Sequence, residues 1–182
     1  MEELKRSLSE APVVEFDDYQ YFVHPVTDGI PLVEPDLLRE IASALASRLD
    51  LDPVEKIVTP EAMGIHHAAA LSLETDVPFV VVRKRSYGLD GEVAVHGRTG
   101  YGESDLYVNN VCAGDRVLVV DDVYSTGGTL SAVCSALEDI GAEIEDVAVV
   151  LRRGSDAADL PVDLTYLLEV EVEDGEVVVR EP

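Results

Sequence analysis

Four short apolar runs, each followed by a polar loop, most constrain what this chain can fold into. They are KIVT (56–59), PFVVV (78–82), VLVV (117–120) and DVAVVL (146–151). β-branched residues dominate them, and polar positions do not alternate through them. That is the pattern of strands covered on both faces. Segments of helical period lie between the runs. Pro35 and Asp36 open a helix in which Leu37, Leu38, Ile41, Leu45 and Leu49 share one face. MGIHHAAALSLE (63–74) reads as a helix after a turn. A third helix runs from about Thr126 to Ile140, with Leu130, Val133, Leu137 and Ile140 on one side, and Gly141 stops it. The order β-α-β-loop-β-α-β predicts an α/β fold, an open parallel sheet with flanking helices.

The two ends of the chain read differently. Residues 1–33 start as a helix and continue as an extended piece, YQYFVHPVTDGIPLV. Near the other end, LTYLLEVEVEDGEVVVR places Asp174-Gly175 between two alternating apolar runs, a hairpin signal. These ends are expected to form a small separate layer, a hood of about 1–33 and 160–182, over a core of about 34–159. At 182 residues the whole is expected to be one domain. Residues 83–110 carry Gly88, Gly91, Gly97, Gly100 and Gly102 and show no clear period. Loops beyond roughly 12–15 residues are usually functional or disordered.

Charge limits the partners. The chain has 37 Asp and Glu against 13 Lys and Arg, a net charge of −24. Such a surface repels nucleic acid and anionic membranes, so neither is an expected partner. With 47% hydrophobic residues, disorder is not the explanation for the acidity. A surface suited to a very salty cytoplasm is, because salt screens self-repulsion. The N-terminus MEELKRSLSE has no apolar stretch of a secretory signal, and cytoplasmic localisation is expected. Cys112 and Cys134 lack metal-ligand spacing and read as thiols in a reducing compartment.

Open parallel sheets bind ligands beyond the carboxyl ends of their strands. Thr59–Gly64, Arg83–Arg85, Asp121–Thr129 and Arg152–Gly154 all lie at such ends. The richest is VLVVDDVYSTGGT (117–129). Vicinal carboxylates at Asp121 and Asp122 suit a hydrated Mg²⁺ or the two hydroxyls of a ribose. Ser125, Thr126, Gly127, Gly128 and Thr129 then start a helix, where uncrowded N–H groups cradle a phosphate. Arg83-Lys84-Arg85 is the densest positive patch in the chain and suits a polyanion. No G-x-x-x-x-G-K-[ST] loop occurs, and no G-x-G-x-x-G follows a strand. VLVVDD also resembles the opening of a response-regulator receiver, but here it lies two-thirds along the chain.

VLVVDDVYSTGGT resembles the phosphoribosyl pyrophosphate (PRPP) signature of type I phosphoribosyltransferases. YFVHPVTDGIPL, EAMGI, VRKRSYGL and GEVAVHGRTGYG extend the resemblance to the archaeal hypoxanthine/guanine group. The resemblance implies transfer of 5-phosphoribose from PRPP to a purine nitrogen, with release of pyrophosphate, Mg²⁺ as helper and a homodimer. It puts the ribose hydroxyls on Asp121 and Asp122, which would touch the metal indirectly, and the 5′-phosphate on Ser125–Thr129. It puts pyrophosphate on Glu61, Ala62, Met63 and Gly64, with Arg83, Lys84 and Arg85 beside them. The glycine-studded segment becomes a lid, with His96, Arg98, Tyr101 and Tyr107 as contacts. A lid suits an oxocarbenium-like transition state that water would otherwise capture.

The base is expected against Val26, Thr27, Val123 and Tyr124. Arg152 and Arg153 follow the fourth strand, which resembles the place where 6-oxopurine enzymes put a cation near the exocyclic oxygen. A donor there favours hypoxanthine or guanine over adenine, whose 6-amino group is itself a donor. The chain departs from its resemblance at two points. Many 6-oxopurine enzymes carry an aspartate where this chain has Ser125. Adenine enzymes carry a Glu-Tyr pair in the lid, where this chain has Gly100-Tyr101. The general acid/base is therefore unassigned and adenine remains a possible substrate. A non-catalytic PRPP-sensing regulator is the competing reading; it calls for a nucleic-acid surface that the charge disfavours.

The charge makes a direct prediction. Thermal unfolding followed from 0.1 M to 2 M KCl should show a rising Tm; a flat or falling Tm would count against screening of self-repulsion.

Overall fold

The computed structural model describes residues 1–16, 19–99, 102–154 and 160–182. A first helix, α1 (Glu2–Ser9), leads into a two-stranded antiparallel ribbon of β1 (Val13–Phe16) and β2 (Tyr19–Phe22). The short α2 (Pro25–Asp28) and the longer α3 (Pro35–Arg48) follow. Then come β3 (Lys56–Pro60), α4 (Gly64–Thr75) and β4 (Phe79–Val82). A hairpin of β5 (Val93–Thr99) and β6 (Gly102–Val108) precedes β7 (Arg116–Tyr124), α5 (Gly128–Ile140) and β8 (Glu143–Arg153). The chain closes with β9 (Leu164–Glu173) and β10 (Glu176–Arg180). No helix among the described residues is long and apolar enough to cross a membrane.

The main sheet has six strands in the order β10-β9-β8-β7-β3-β4. Every neighbouring pair is parallel except β9 and β10. The direction of winding reverses in the middle. From β3 the chain crosses to β4 on one side, and from β7 it crosses to β8 on the other. Right-handed crossovers then force α4 and α5 onto opposite faces. A crevice opens between β3 and β7, where the two loops diverge.

Each face of the sheet has its own core. On one face Leu4, Leu8, Leu37, Ile41, Leu45, Ala68 and Leu71 from α1, α3 and α4 meet Leu118, Val120, Ala148 and Val150. On the other, Leu130, Val133, Cys134 and Leu137 of α5 meet Val117, Val119, Val147 and Val149. Both faces of β7 and β8 are therefore apolar, which explains their uninterrupted runs. Burial pushes the Cys134 thiol up to about 12, so it acts as a small core residue.

Two expectations needed correction. The C-terminal hairpin forms at Asp174-Gly175, but β9 pairs in parallel with β8. The hairpin thus extends the main sheet; it is not a layer apart, and α1 packs on it. Its apolar positions Leu167, Leu168 and Val170 complete the first core, which a detached layer would leave open. The segment 83–110, read as lacking regular structure, contains β5 and β6 in register from Val93↔Val108 to Thr99↔Gly102. Its period was hidden because the burial rests on the base of β6, where Leu106 and Val108 enter the second core.

Leu118 is fully buried in the central strand. Leu118→Ala should lower unfolding free energy by about 2–5 kcal/mol in a urea titration, with an unchanged m-value.

Candidate active site

The crevice between β3 and β7 gathers four pieces of chain. Asp121 and Asp122 lie on β7 beyond its last pairing with β3, at Val58↔Val119. Side-chain alternation slips by one across them. Val117 and Val119 face the second core and Leu118 and Val120 the first. Beyond the acids, Val123 packs on the first core and Tyr124 enters the second. The acids occupy the step where the phase changes, so neither apolar layer has to hold them.

They are nevertheless only 7% and 8% exposed. The Asp122 N–H donates to Oδ1 of Asp121 at 2.9 Å. Desolvation pushes the Asp121 carboxyl up to about 6, opposed by the hydrogen bonds from Asp122 and the charge of Lys84. Asp122 is raised well above its ordinary value, by burial first and then by the neighbouring charge of Asp121. Two carboxylates this close and this dry cannot both ionise cheaply without a cation or hydroxyl donors.

The β3–α4 turn supplies the opposite wall. The Glu61–Ala62 peptide is cis. The N–H groups of Ala62, Met63 and Gly64 have no partner among the described residues. Gly64 starts α4 and is buried against the acid pair. A Cβ there would meet Thr59 Oγ1 at 2.2 Å and Asp121 Oδ1 at 2.8 Å. Only glycine allows α4 to lie this close to β7. Thr59 Oγ1 is itself buried without a partner among the described residues.

Glu61, an awkward neighbour for pyrophosphate, is already committed. Its carboxylate binds the Arg83 guanidinium at 3.2 Å and accepts the Lys84 N–H. Arg83 is joined in turn to β6, exchanging backbone bonds with Tyr107 at 3.0 and 2.7 Å. Tyr87 lies beneath Arg85, 4.8 Å from guanidinium carbon to ring centroid. The three cations are thus seated, with Lys84 and Arg85 exposed. Glu92 organises the loop behind them by accepting from Ser86, Tyr87, Gly88 and Asn109. Those bonds, with the Ser86 hydroxyl first, lower its carboxyl to about 2.

The loop after β7 is open. Gly127 has φ 74° and caps α5. The helix ladder begins with the Ser131 N–H donating to the Gly127 carbonyl at 2.8 Å. The N–H groups of Gly128, Thr129 and Leu130 are left at the open end. Ser125 and Thr126 are exposed, and among the described residues their hydroxyls and that of Thr129 have no partner. Unpaired donors of this kind gather around an anion.

Several expected contacts fall elsewhere. Val26 is 1% exposed and belongs to the first core, and Tyr124 is 3% exposed and belongs to the second. Neither side chain lines the crevice, whereas Thr27 and Val123 keep some exposure. Arg152 stands in register between Tyr124 and Glu169, on the second face. It lies over the Tyr166 ring at 5.4 Å and pairs with Glu169 at 3.9 Å. Alternation turns the next residue, Arg153, to the other face, where Nη2 donates to the Gln20 carbonyl of β2 at 2.8 Å. Of the lid residues, Tyr107 is anchored to Arg83 as above. His96 and Arg98 lie on β5, where the backbone alone is described, and Tyr101 lies outside the described residues.

The sequence reading missed what holds α2 at the rim. α2 lies against β7. His24 caps it, and His67, read as packing or surface, is fully buried and bonded to the Val26 carbonyl. Burial lowers the imidazoles of His24 and His67 to about 4 and about 3. A His at a helix start carries no signal of such a bond, which joins residues far apart in sequence.

The acid pair has a measurable signature. A carboxyl raised on folding favours the fold below its unfolded pKa, and that advantage is lost as pH rises through the folded value. For Asp121 the window runs from 3.8 to about 6, and Asp122 extends it upward. The lowered histidines slope the other way, losing stability as pH falls, but they are common to parent and variant. Asp122→Asn should therefore be more stable than the parent above pH 6, by about 1–3 kcal/mol. The difference should shrink toward pH 4 in parallel denaturant titrations.

Comparison with known proteins identifies the arrangement. Residues 33–178 match the phosphoribosyl transferase domain. The chain is 59% identical over 182 residues to HGPRTase-like protein 2 of Haloterrigena turkmenica, covering 99% of this chain and 100% of that one. It is equally 59% identical to HGPRTase-like protein 1 of Halalkalicoccus jeotgali, with the same coverage. Adenine phosphoribosyltransferase from Rhodothermus marinus superposes with a TM-score of 0.72 at 27% identity, over 92% of this chain and 97% of that one. The chain belongs to the phosphoribosyltransferase family, on its purine branch.

Proposed function

We propose that this chain transfers 5-phosphoribose from PRPP to a 6-oxopurine, hypoxanthine or guanine, in nucleobase salvage. The observation that carries the reading is the buried acid pair at the switch point of the sheet, flanked by two loops of unpaired N–H groups. Asp121 and Asp122 accept from the ribose 2′- and 3′-hydroxyls, and those donors relieve their desolvation. The amides of Gly128, Thr129 and Leu130, with the hydroxyls of Ser125, Thr126 and Thr129, take the 5′-phosphate. The amides of Ala62–Gly64 and the cations Arg83, Lys84 and Arg85 take pyrophosphate.

In the transfer the base nitrogen forms a bond to C1′ as the bond from C1′ to pyrophosphate breaks, and the imidazole proton of the base passes to water or to the departing pyrophosphate. Negative charge grows on the leaving group, toward the basic cluster. Positive charge grows on the sugar ring, near the two carboxylates. Both ends are thus met by groups already in place. The donor set also fits Mg²⁺. Among the described residues no cluster of three or more metal-binding side chains occurs. Mg²⁺ binds typically through one or two carboxylates, water and substrate oxygens, and Asp121 and Asp122 would hold it through those intermediaries. When bound, it neutralises pyrophosphate charge.

We infer that the base lies between Val123 and the α2 segment at Val26–Thr27, which covers it. Of the two arginines after β8, Arg153, on the face of the N-terminal ribbon, is the donor suited to a 6-oxo group. The HGPRTase-like names of the relatives support the same choice. The likeness to an adenine enzyme keeps adenine as the second reading. The hairpin β5–β6 serves as the lid, and Tyr107 couples its base to Arg83. We further propose a cytoplasmic homodimer. The exposed Phe79 on edge strand β4 and Leu73 on the adjoining α4 offer apolar surface for it.

Incubation with PRPP, Mg²⁺ and hypoxanthine, guanine, xanthine or adenine, at low and molar salt, tests the reading. Nucleotide should form best from hypoxanthine or guanine, and no product from any base would overturn it. Lys84→Ala should raise KM for PRPP about tenfold, with a smaller effect on KM for the base.

A further inference from the structure

Three histidines gather where α2 meets α4, and the chemistry above uses none of them. His24 caps α2, and His66 and His67 lie in the first turn of α4. Both backbone polar groups of Val26 end on these rings. The Val26 N–H donates to Nδ1 of His24 at 3.2 Å, and the Val26 carbonyl accepts from Nε2 of His67 at 3.2 Å. These partners fix the protons. A carbonyl can only accept, so Nε2 of His67 carries its hydrogen and Nδ1 is bare. An N–H can only donate, so Nδ1 of His24 is bare and its Nε2–H faces Ser7 Oγ at 3.0 Å. The His66 ring lies against His67, with centroids 3.9 Å apart and planes tilted by 43°.

Histidine is a costly choice at position 67. The residue is fully buried, and Nδ1 has no partner among the described residues. Leucine or methionine would fill the space without burying a bare ring nitrogen, but would leave the Val26 carbonyl without its donor. What histidine adds is one directed bond to Val26, joining positions 41 residues apart. His67 follows Gly64 by about one helical turn. Gly64 in turn lies against Asp121. A continuous line of contacts therefore runs from Val26 through His67 and the first turn of α4 to the acid pair.

We propose that His67 is a specificity-positioning residue. Its Nε2–H fixes the distance between the Val26–Thr27 segment and Asp121, and so the width of the slot for the base. This rests on the reading of that segment as the base cover. His67 itself does not touch substrate. His24, itself bonded to Ser7, holds the N–H of the same residue, so Val26 is clamped at both its backbone groups and cannot follow a base of the wrong shape.

The test is steady-state kinetics of the full chain with PRPP and the purine that the parent converts best. His67→Leu should raise KM for the base about tenfold while KM for PRPP stays within about twofold. Discrimination between hypoxanthine and adenine should fall in parallel. His67→Gln, whose Nε2 still donates, should return KM for the base to within about threefold of the parent. His67→Met is the second non-donating variant should the leucine protein fail to fold. An unchanged base KM in a folded non-donating variant, or an equal rise in both KM values, overturns the proposal alone. A parent that converts no purine overturns the functional reading and this proposal with it.

Discussion

Burying two adjacent carboxylates is the constraint on which the rest of this molecule depends. In a dry parallel sheet each raises the cost of ionising the other. The fold tolerates them only at the carboxyl edge, where β7 outruns β3 and the alternation of the strand slips. Their surroundings then follow. α4 has to begin with glycine, because a Cβ at position 64 would strike Thr59 and Asp121. Lys84 has to stand near enough for Asp121 to feel its charge. By itself the pair is electrostatically unfinished.

The loops around the acids are joined to one another as well as to the sheet. Glu61 binds Arg83 and the Lys84 amide, and Arg83 exchanges backbone bonds with Tyr107. One carboxylate thus links the β3–α4 turn, the basic cluster and the base of the β5–β6 hairpin. On the opposite wall, His67 links α4 to the N-terminal segment that His24 holds together. The first linkage is ionic and partly exposed, so it can rearrange when an anion arrives. The second is neutral and buried, so it holds its geometry.

The runs KIVT, PFVVV, VLVV and DVAVVL announced their strands because a strand covered on both faces must be apolar throughout. The helices announced themselves by period, and VLVVDDVYSTGGT by a density of polar groups that no packing role explains. Less was legible where burial is partial. The β5–β6 hairpin buries only the base of one strand, so its alternation is drowned by glycine, histidine and arginine. The C-terminal hairpin was visible as a hairpin, but nothing local says which sheet it joins. Tyr124 and Arg152 were placed by nearness to the strand ends and by resemblance, and strand alternation put both on the second face; Val26 was placed by resemblance, and α2 turns its side chain into the first core.

The sequence by itself determined the four central strands, the helices between them, the PRPP-like signature and the family, because those rest on local pattern and short-range chemistry. Only the tertiary structure decided which side chains meet. It sent Arg152 and Arg153 to opposite faces of the sheet, gave Glu61 a partner, and bonded His67 to Val26. Those outcomes depend on strand parity and on contacts between residues far apart in the chain, which no local pattern encodes.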